Sequence, residues 1–275
     1  MFQEHQRSFG ARAVAVLAST FALGCGAAFA QIALPDQSRW AGNEIRFCIN
    51  SESVLADLDR AVAQAVADAL LIPAIFTEIG REVNRGRYDF LLPVDEMGLL
   101  AAFTQNCQVV TGFRLSARAP FWVTVTPAYY TTRVALALAP DADQALPPGS
   151  LVATRLAGPG DATLVSYLSA MPASRAWQRT TYRDNSMLLD ALFGGAIDAA
   201  VIWEPAVFAA TAGDPAARGV EVVTPPFEPV TVAFGMALLS TDVYLRALLD
   251  NAIASVLATD AVSGFARELG LPPPL

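Results

Sequence analysis

Residues 187–203 read MLLDALFGGAIDAAVIW, and this run decides the fold. Met187 to Phe193 has helical composition and no breaker. Gly194-Gly195 stops the helix, and Ile197 to Trp203 is an apolar run of strand length. A helix that passes through a glycine stop into a buried strand belongs to a crossover that builds a parallel sheet.

The pattern continues upstream. Ser150 to Thr154 reads as a strand, Leu156 to Gly160 as a turn, and Asp161 to Leu168 as a helix that Asp161 can cap. Before them, Pro140 to Gly149 holds three Pro, one Gly and two Asp, the composition of a loop and of a crossover between lobes. Earlier still come a strand at Glu44 to Ile49 and a helix at Val54 to Leu71. In that helix Val54, Leu55, Leu58, Val62, Val66 and Leu70 fall at helical spacing, and Ser53 is placed to cap it. Ala74 to Ile79 is a strand, Glu82 to Asp89 a polar loop, Met97 to Gln105 a helix and Cys107 to Gly112 a strand. Thr131 to Ala139 is a strand. Downstream, Val220 to Val223 and Val230 to Leu239 read as strands, followed by helices at Leu245 to Leu257 and Ala261 to Leu269.

A strand–helix–strand–helix–strand order is thus expected twice, near 44–112 and 150–203. This implies an α/β protein of two lobes, each a mainly parallel sheet flanked by helices, around a cleft. The expected division is residues 31–139 plus 232–275 for one lobe and 140–231 for the other. Hinges fall near Ala139–Asp143 and Pro229–Val232.

Residues 1–30 read as an export signal. Arg7 and Arg12 give a positive front, Ala13 to Leu23 an apolar core, and Ala28-Phe29-Ala30 a small-x-small cleavage site. The apolar run is short for a membrane span of about 20 residues. Cys25 raises lipid anchoring as an alternative, but Ala22 stands where lipidation favours Leu. The expected product is a periplasmic protein with no membrane insertion of the mature chain.

Cleavage would also remove His5, the one histidine, and the chain has no lysine. His-based nucleophile pairs, His-ligated metals, Schiff-base lysines and lysine phosphate loops are then excluded. Loss of Glu4, Arg7 and Arg12 takes the net charge from −8 to −9, which disfavours nucleic acid and anionic lipid as partners. No cofactor and no metal are expected. Cys48 and Cys107 remain as an even pair in an oxidising compartment, which favours a disulfide over two buried thiols.

Three stretches carry a family resemblance. Leu99 to Tyr130 ends in Thr126-Pro127-Ala128-Tyr129-Tyr130. Leu188 to Pro205 is similar to aLxxGxiDaaivwxP. Phe234-Gly235-Met236-Ala237 precedes two closing helices. Together they resemble type-2 periplasmic solute-binding proteins, in the branch (family 3) that includes amino-acid receptors of ABC importers. The Asp198…Trp203-x-Pro205 run and the Cys48/Cys107 pair look closest to the binding proteins associated with quinoprotein (PQQ) methanol and alcohol dehydrogenases.

The resemblance implies a non-enzymatic binding protein. Its partner would be a periplasmic quinoprotein dehydrogenase in methanol oxidation, with an ABC permease as the alternative. A small polar ligand or a peptide segment would occupy the cleft. Arg118 and Arg114 lie near the family's carboxylate-gripping Arg. Tyr129, Tyr130 and Trp203 could stack on a ligand. Gly160 and Asp161 open a helix whose amides could hold an anion, and Glu204 could act as a charge partner. The chain departs from the family in three places: it lacks the usual Pro-Phe-rich first loop, Trp203 stands where receptors place an ammonium-binding Asp, and Gln108 replaces another family Asp. Paired carboxylates for a dehydratase or lyase remain a third possibility.

Overall fold

The structure is a computed structural model that describes residues 43–80, 96–115 and 119–275. The export signal, Cys25, the polar loop at Glu82 to Asp89 and Arg118 lie outside the described residues.

The chain forms β1 (Ile45–Asn50), α1 (Ala56–Ala69), β2 (Ala74–Ile79), α2 (Glu96–Gln105), β3 (Val109–Arg114), β4 (Val123–Val125) and β5 (Tyr130–Leu138). It continues through β6 (Leu151–Arg155), α3 (Pro159–Ser169), β7 (Gln178–Tyr182), α4 (Asn185–Phe193), β8 (Ala199–Trp203) and α5 (Glu204–Ala210). It closes with β9 (Glu221–Val223), β10 (Thr231–Leu239), α6 (Val243–Leu257) and α7 (Ala261–Glu268).

The strands run in the order β2-β1-β3-β10-β5-β8-β6-β7, with β4 on β10 and β9 on β5. Pairing is parallel within β2-β1-β3 and within β8-β6-β7. The strands between them are antiparallel. The two ladders meet in β5. Its Tyr130, Thr131, Thr132 and Arg133 pair with β10, whereas Val134 to Leu138 pair with β8. Two mainly parallel half-sheets with flanking helices match the expected α/β class, and they share one strand, β5, which the expected division after residue 139 did not foresee.

Burial follows the periodicity. In α1, Leu58, Val62, Ala63, Val66 and Ala67 are buried on one face, which packs against β1, β3, α6 and α7. Ser53 does not cap this helix. Its hydroxyl accepts from the Leu55 amide in the preceding turn, and Leu55 is the N-cap. Three elements escape the sequence reading: β4, α5 and β7. The last is Gln-Arg-Thr-Thr-Tyr, a polar strand at the end of the sheet, where one flank needs no hydrophobic partner.

Cys48 in β1 is bonded to Cys107, which just precedes β3, with the Cα atoms 5.6 Å apart. It joins parallel neighbours, so the expected disulfide is present. Behind it, the Tyr129 hydroxyl donates to Asp59 Oδ1 of α1 and accepts from the Gly112 amide at 2.8 Å. Asp59 is fully buried. Gly112 has φ +66°, and a Cβ there would lie 2.3 Å from Asp59 Oδ2, so glycine is required for both conformation and space.

The carboxyl-terminal segment returns to the middle of the sheet. The Tyr130 hydroxyl donates to the Pro272 carbonyl at 2.8 Å, and the Leu275 amide donates to the Thr131 carbonyl at 2.9 Å.

Candidate functional site

Strands β6 and β8 are parallel neighbours, so their carboxyl ends open on the same side, where α3 and α4 begin. In open α/β sheets this edge is where ligands collect. A small cavity of about 20 Å³ sits there, lined by Thr154 and Arg155 at the end of β6, Gly158 and Gly160 at the start of α3, Asn185 at the start of α4, and Trp203 at the end of β8. Its volume suits about one water molecule.

The local sequence explains how the cavity arises. Pro159 occupies the first turn of α3, where its missing N–H costs nothing. Gly160 lets that turn approach the sheet: a Cβ there would come within 2.9 Å of Val201 Cγ1 and 3.2 Å of Val134 Cγ1. The α4 start is fixed by Asp184, whose side chain accepts from the Met187 amide at 2.9 Å. Asp198 anchors the other end of β8, accepting from the Leu151 amide at 2.6 Å. Arg155 thus stands at the joint of strand and helix, beside the backbone amides of a helix start.

The residues singled out in the sequence fall in different places. Gly160 and Trp203 line the cavity. Trp203 also packs against Phe234, with ring centroids 5.9 Å apart, so its ring belongs largely to the core. Asp161 was expected to cap α3, but Gly158 is the N-cap and makes no side-chain cap bond. The Asp161 carboxylate instead takes a bidentate grip from Arg179 of β7, at 2.7 and 2.9 Å, and accepts the Ala157 amide at 3.1 Å. Its oxygens are occupied because the carboxylate is nearly buried and the guanidinium satisfies it.

Glu204 opens α5 and pairs with Arg133 of β5, Nε to Oε2 at 3.1 Å and Nη2 to Oε1 at 3.4 Å. Arg133 also donates to Thr224 Oγ1 at 3.3 Å. This pair ties β5 to the exit of β8. Tyr129 and Tyr130 are 2% and 1% exposed. Their hydroxyls bond inside the protein, so the structure assigns them to the core rather than to a stacking surface. Burial raises both phenols above their ordinary acidity range, and the charge of Asp59 adds for Tyr129, that of Glu204 for Tyr130. Arg114 ends β3, opposite Phe234, and does not line the cavity. Partial burial lowers its pKa.

Arg155, Thr154 and Asn185 were missed in the sequence. The available signal was position: Arg155 follows a predicted strand directly and precedes a predicted glycine turn. Among the described residues there is no group of three or more His, Cys, Asp or Glu side chains able to hold a metal, and no helix long and apolar enough to cross a membrane.

Comparison with solved structures places this geometry in a known architecture. Substrate-binding domain 2 of GlnP from Lactococcus lactis, in an open conformation, matches with a TM-score of 0.62 at 14% identity, over 83% of this chain and 96% of that one. An ancestral cationic amino acid solute-binding protein, AncCDT-1, matches at 0.60 and 17%, over 82% and 95%. An amino acid ABC transporter substrate-binding protein from Streptococcus pneumoniae, bound to L-arginine, matches at 0.54 and 16%, over 83% and 94%. These likenesses establish the type-2 periplasmic binding protein fold. No family model matches the chain, and no curated protein matches it in sequence.

Proposed function

We propose that this chain is the solute receptor of an ABC importer, working in the periplasm on a small anionic solute. The observation that carries the reading is the cavity where Arg155 meets the start of α3, on the ligand-collecting edge of a type-2 fold. The similar structures are amino-acid substrate-binding proteins, which favours the importer over service to a quinoprotein dehydrogenase.

The chemistry favours an organic anion over a zwitterionic amino acid. Trp203 occupies the end of β8, where the resemblance would put an ammonium-binding Asp, and Glu204 is neutralised by Arg133. In this reading the two half-sheets are the lobes, and the boundary falls inside β5, between Arg133 and Val134, rather than at 139/140. The shared strand β5 and strand β10 carry the hinge, and closure of the lobes enlarges the contact around the small cavity.

A dehydratase on the same fold would call for a raised-pKa acid at the cavity. The described carboxyl group with raised pKa is Asp59, buried under Gly112 and absent from the cavity lining.

The test is a thermal-unfolding panel of small mono- and dicarboxylic acids, the common amino acids, and a quinoprotein dehydrogenase. A true solute at 100 times its dissociation constant adds about 2.7 kcal/mol, and Arg155→Gln abolishes the gain. Stabilisation by the dehydrogenase alone would overturn the importer reading in favour of the accessory one.

A further inference from the structure

A second cavity opens at the other end of α3. It is a trough of about 600 Å³ that shares no lining residue with the cavity at Arg155. That volume falls within the range of about 300–1,000 Å³ usual for small-molecule sites. Its walls come from β5, the loop at 144–148, the end of α3, the turn at 175–177 and the segment after β9. Leu136, Leu146, Met171 and Val223 supply apolar surface.

The trough has an aromatic side and a cationic rim. The Tyr167 ring lies 5.3 Å from Trp177 at 47° and 5.1 Å from Phe227 at 51°. Trp177 is held in place because its Nε1–H donates to the Leu146 carbonyl at 2.9 Å. Arg175 lines the same trough, is solvent-exposed and has no carboxylate partner among the described residues. This is notable in a chain with 26 acidic residues against 18 arginines. Asp143 and Glu221, beside the trough-lining Ala145 and Gln144, accept from those residues' amides and form no ion pair with Arg175. The rim therefore offers an unneutralised, planar cation next to a set of aromatic faces.

We propose that this trough is a binding site for a small aromatic carboxylate, with the ring against Tyr167 and Trp177 and the carboxylate gripped by Arg175. Aromatic rings supply the offset and edge contacts such a ring needs, and the guanidinium matches a carboxylate in a bidentate fork. The site stands apart from the solute cavity and does not depend on the importer reading.

The probe is 3-phenylpropionate, titrated into the protein and followed by calorimetry and by amide shifts. The acid binds saturably. The neutral 3-phenylpropionamide and the ring-free propionate each bind at least about ten-fold more weakly, and Arg175→Gln weakens the acid about ten-fold. Arg175 is exposed, so this variant keeps the fold. Ala145→Trp, at an exposed position on the trough wall, blocks binding by filling the space. The proposal falls if no saturable binding occurs up to about 10 mM, an affinity too weak for a built site. It also falls if the amide or Arg175→Gln matches the acid on the wild-type protein, or if Arg155→Gln abolishes binding, which would assign the probe to the other cavity.

Discussion

The two half-sheets share a topology and differ in how they are fastened. Both run strand, helix, strand, helix, strand, and counted from the outer edge their parallel strands take the same order, β2-β1-β3 and β7-β6-β8. The first half is closed by the Cys48–Cys107 bond and by the buried Asp59–Tyr129–Gly112 network. The second has no cysteine and relies on the partly exposed Asp161–Arg179 pair. Both cavities lie in this second half, at the two ends of α3. The same layout is thus tied covalently in one half and by an ion pair in the other.

The largest expected effect is on the covalent side of that contrast. Replacing both Cys48 and Cys107 by Ala reopens a 59-residue separation and costs about 4 kcal/mol by the chain-entropy relation. Urea unfolding measures it, and a loss under about 1 kcal/mol would show that the first half does not depend on its covalent tie.

The buried acid comes next. Asp59 is raised to about 7 by burial, against the Tyr129 hydrogen bond, which lowers it. The native state therefore keeps a proton that the unfolded chain gives up above its ordinary value of 3.8. Stability falls as pH rises from 3.8 through about 7, then levels. The total is roughly 4 kcal/mol, and Asp59→Asn removes the slope. An unchanged slope in the variant would move the titration to another group.

In the second half, Arg179→Ala leaves a carboxylate that is only 10% exposed without its cation. The expected cost is about 2 kcal/mol, below the value for a fully buried pair because Arg179 is 33% exposed. The smallest effect belongs to Arg60–Glu78, a surface pair with side chains 39% and 63% exposed. Glu78→Gln should change stability by less than about 0.5 kcal/mol. If this change rivals Arg179→Ala, burial does not rank the two pairs.

The run at 187–203 was legible because helix, double glycine and apolar strand are each local signals, and α4 and β8 appear where they point. The disulfide was legible for a similar reason: two cysteines in neighbouring strands leave one pairing. The role of Asp161 was not. Its partner Arg179 lies 18 residues away, in a polar strand that has no hydrophobic period to reveal it. Tyr129 and Tyr130 misled because an aromatic pair after a proline fits a cleft wall as well as a core. What settles them is bonding to Asp59 and Pro272, 70 and 142 residues distant. The trough was invisible for the same reason: five separated segments build it, and none looks unusual alone.

The last five residues act as a clasp over the strand that both half-sheets use. Tyr130 and Thr131 each hold one end of that short tail, so trimming it would uncap a buried phenol and strip the middle of the sheet of its cover. A purification handle or fluorophore fused after Leu275 starts from a pinned point. Such a fusion would report on movements of β5 itself rather than hang loosely in solvent.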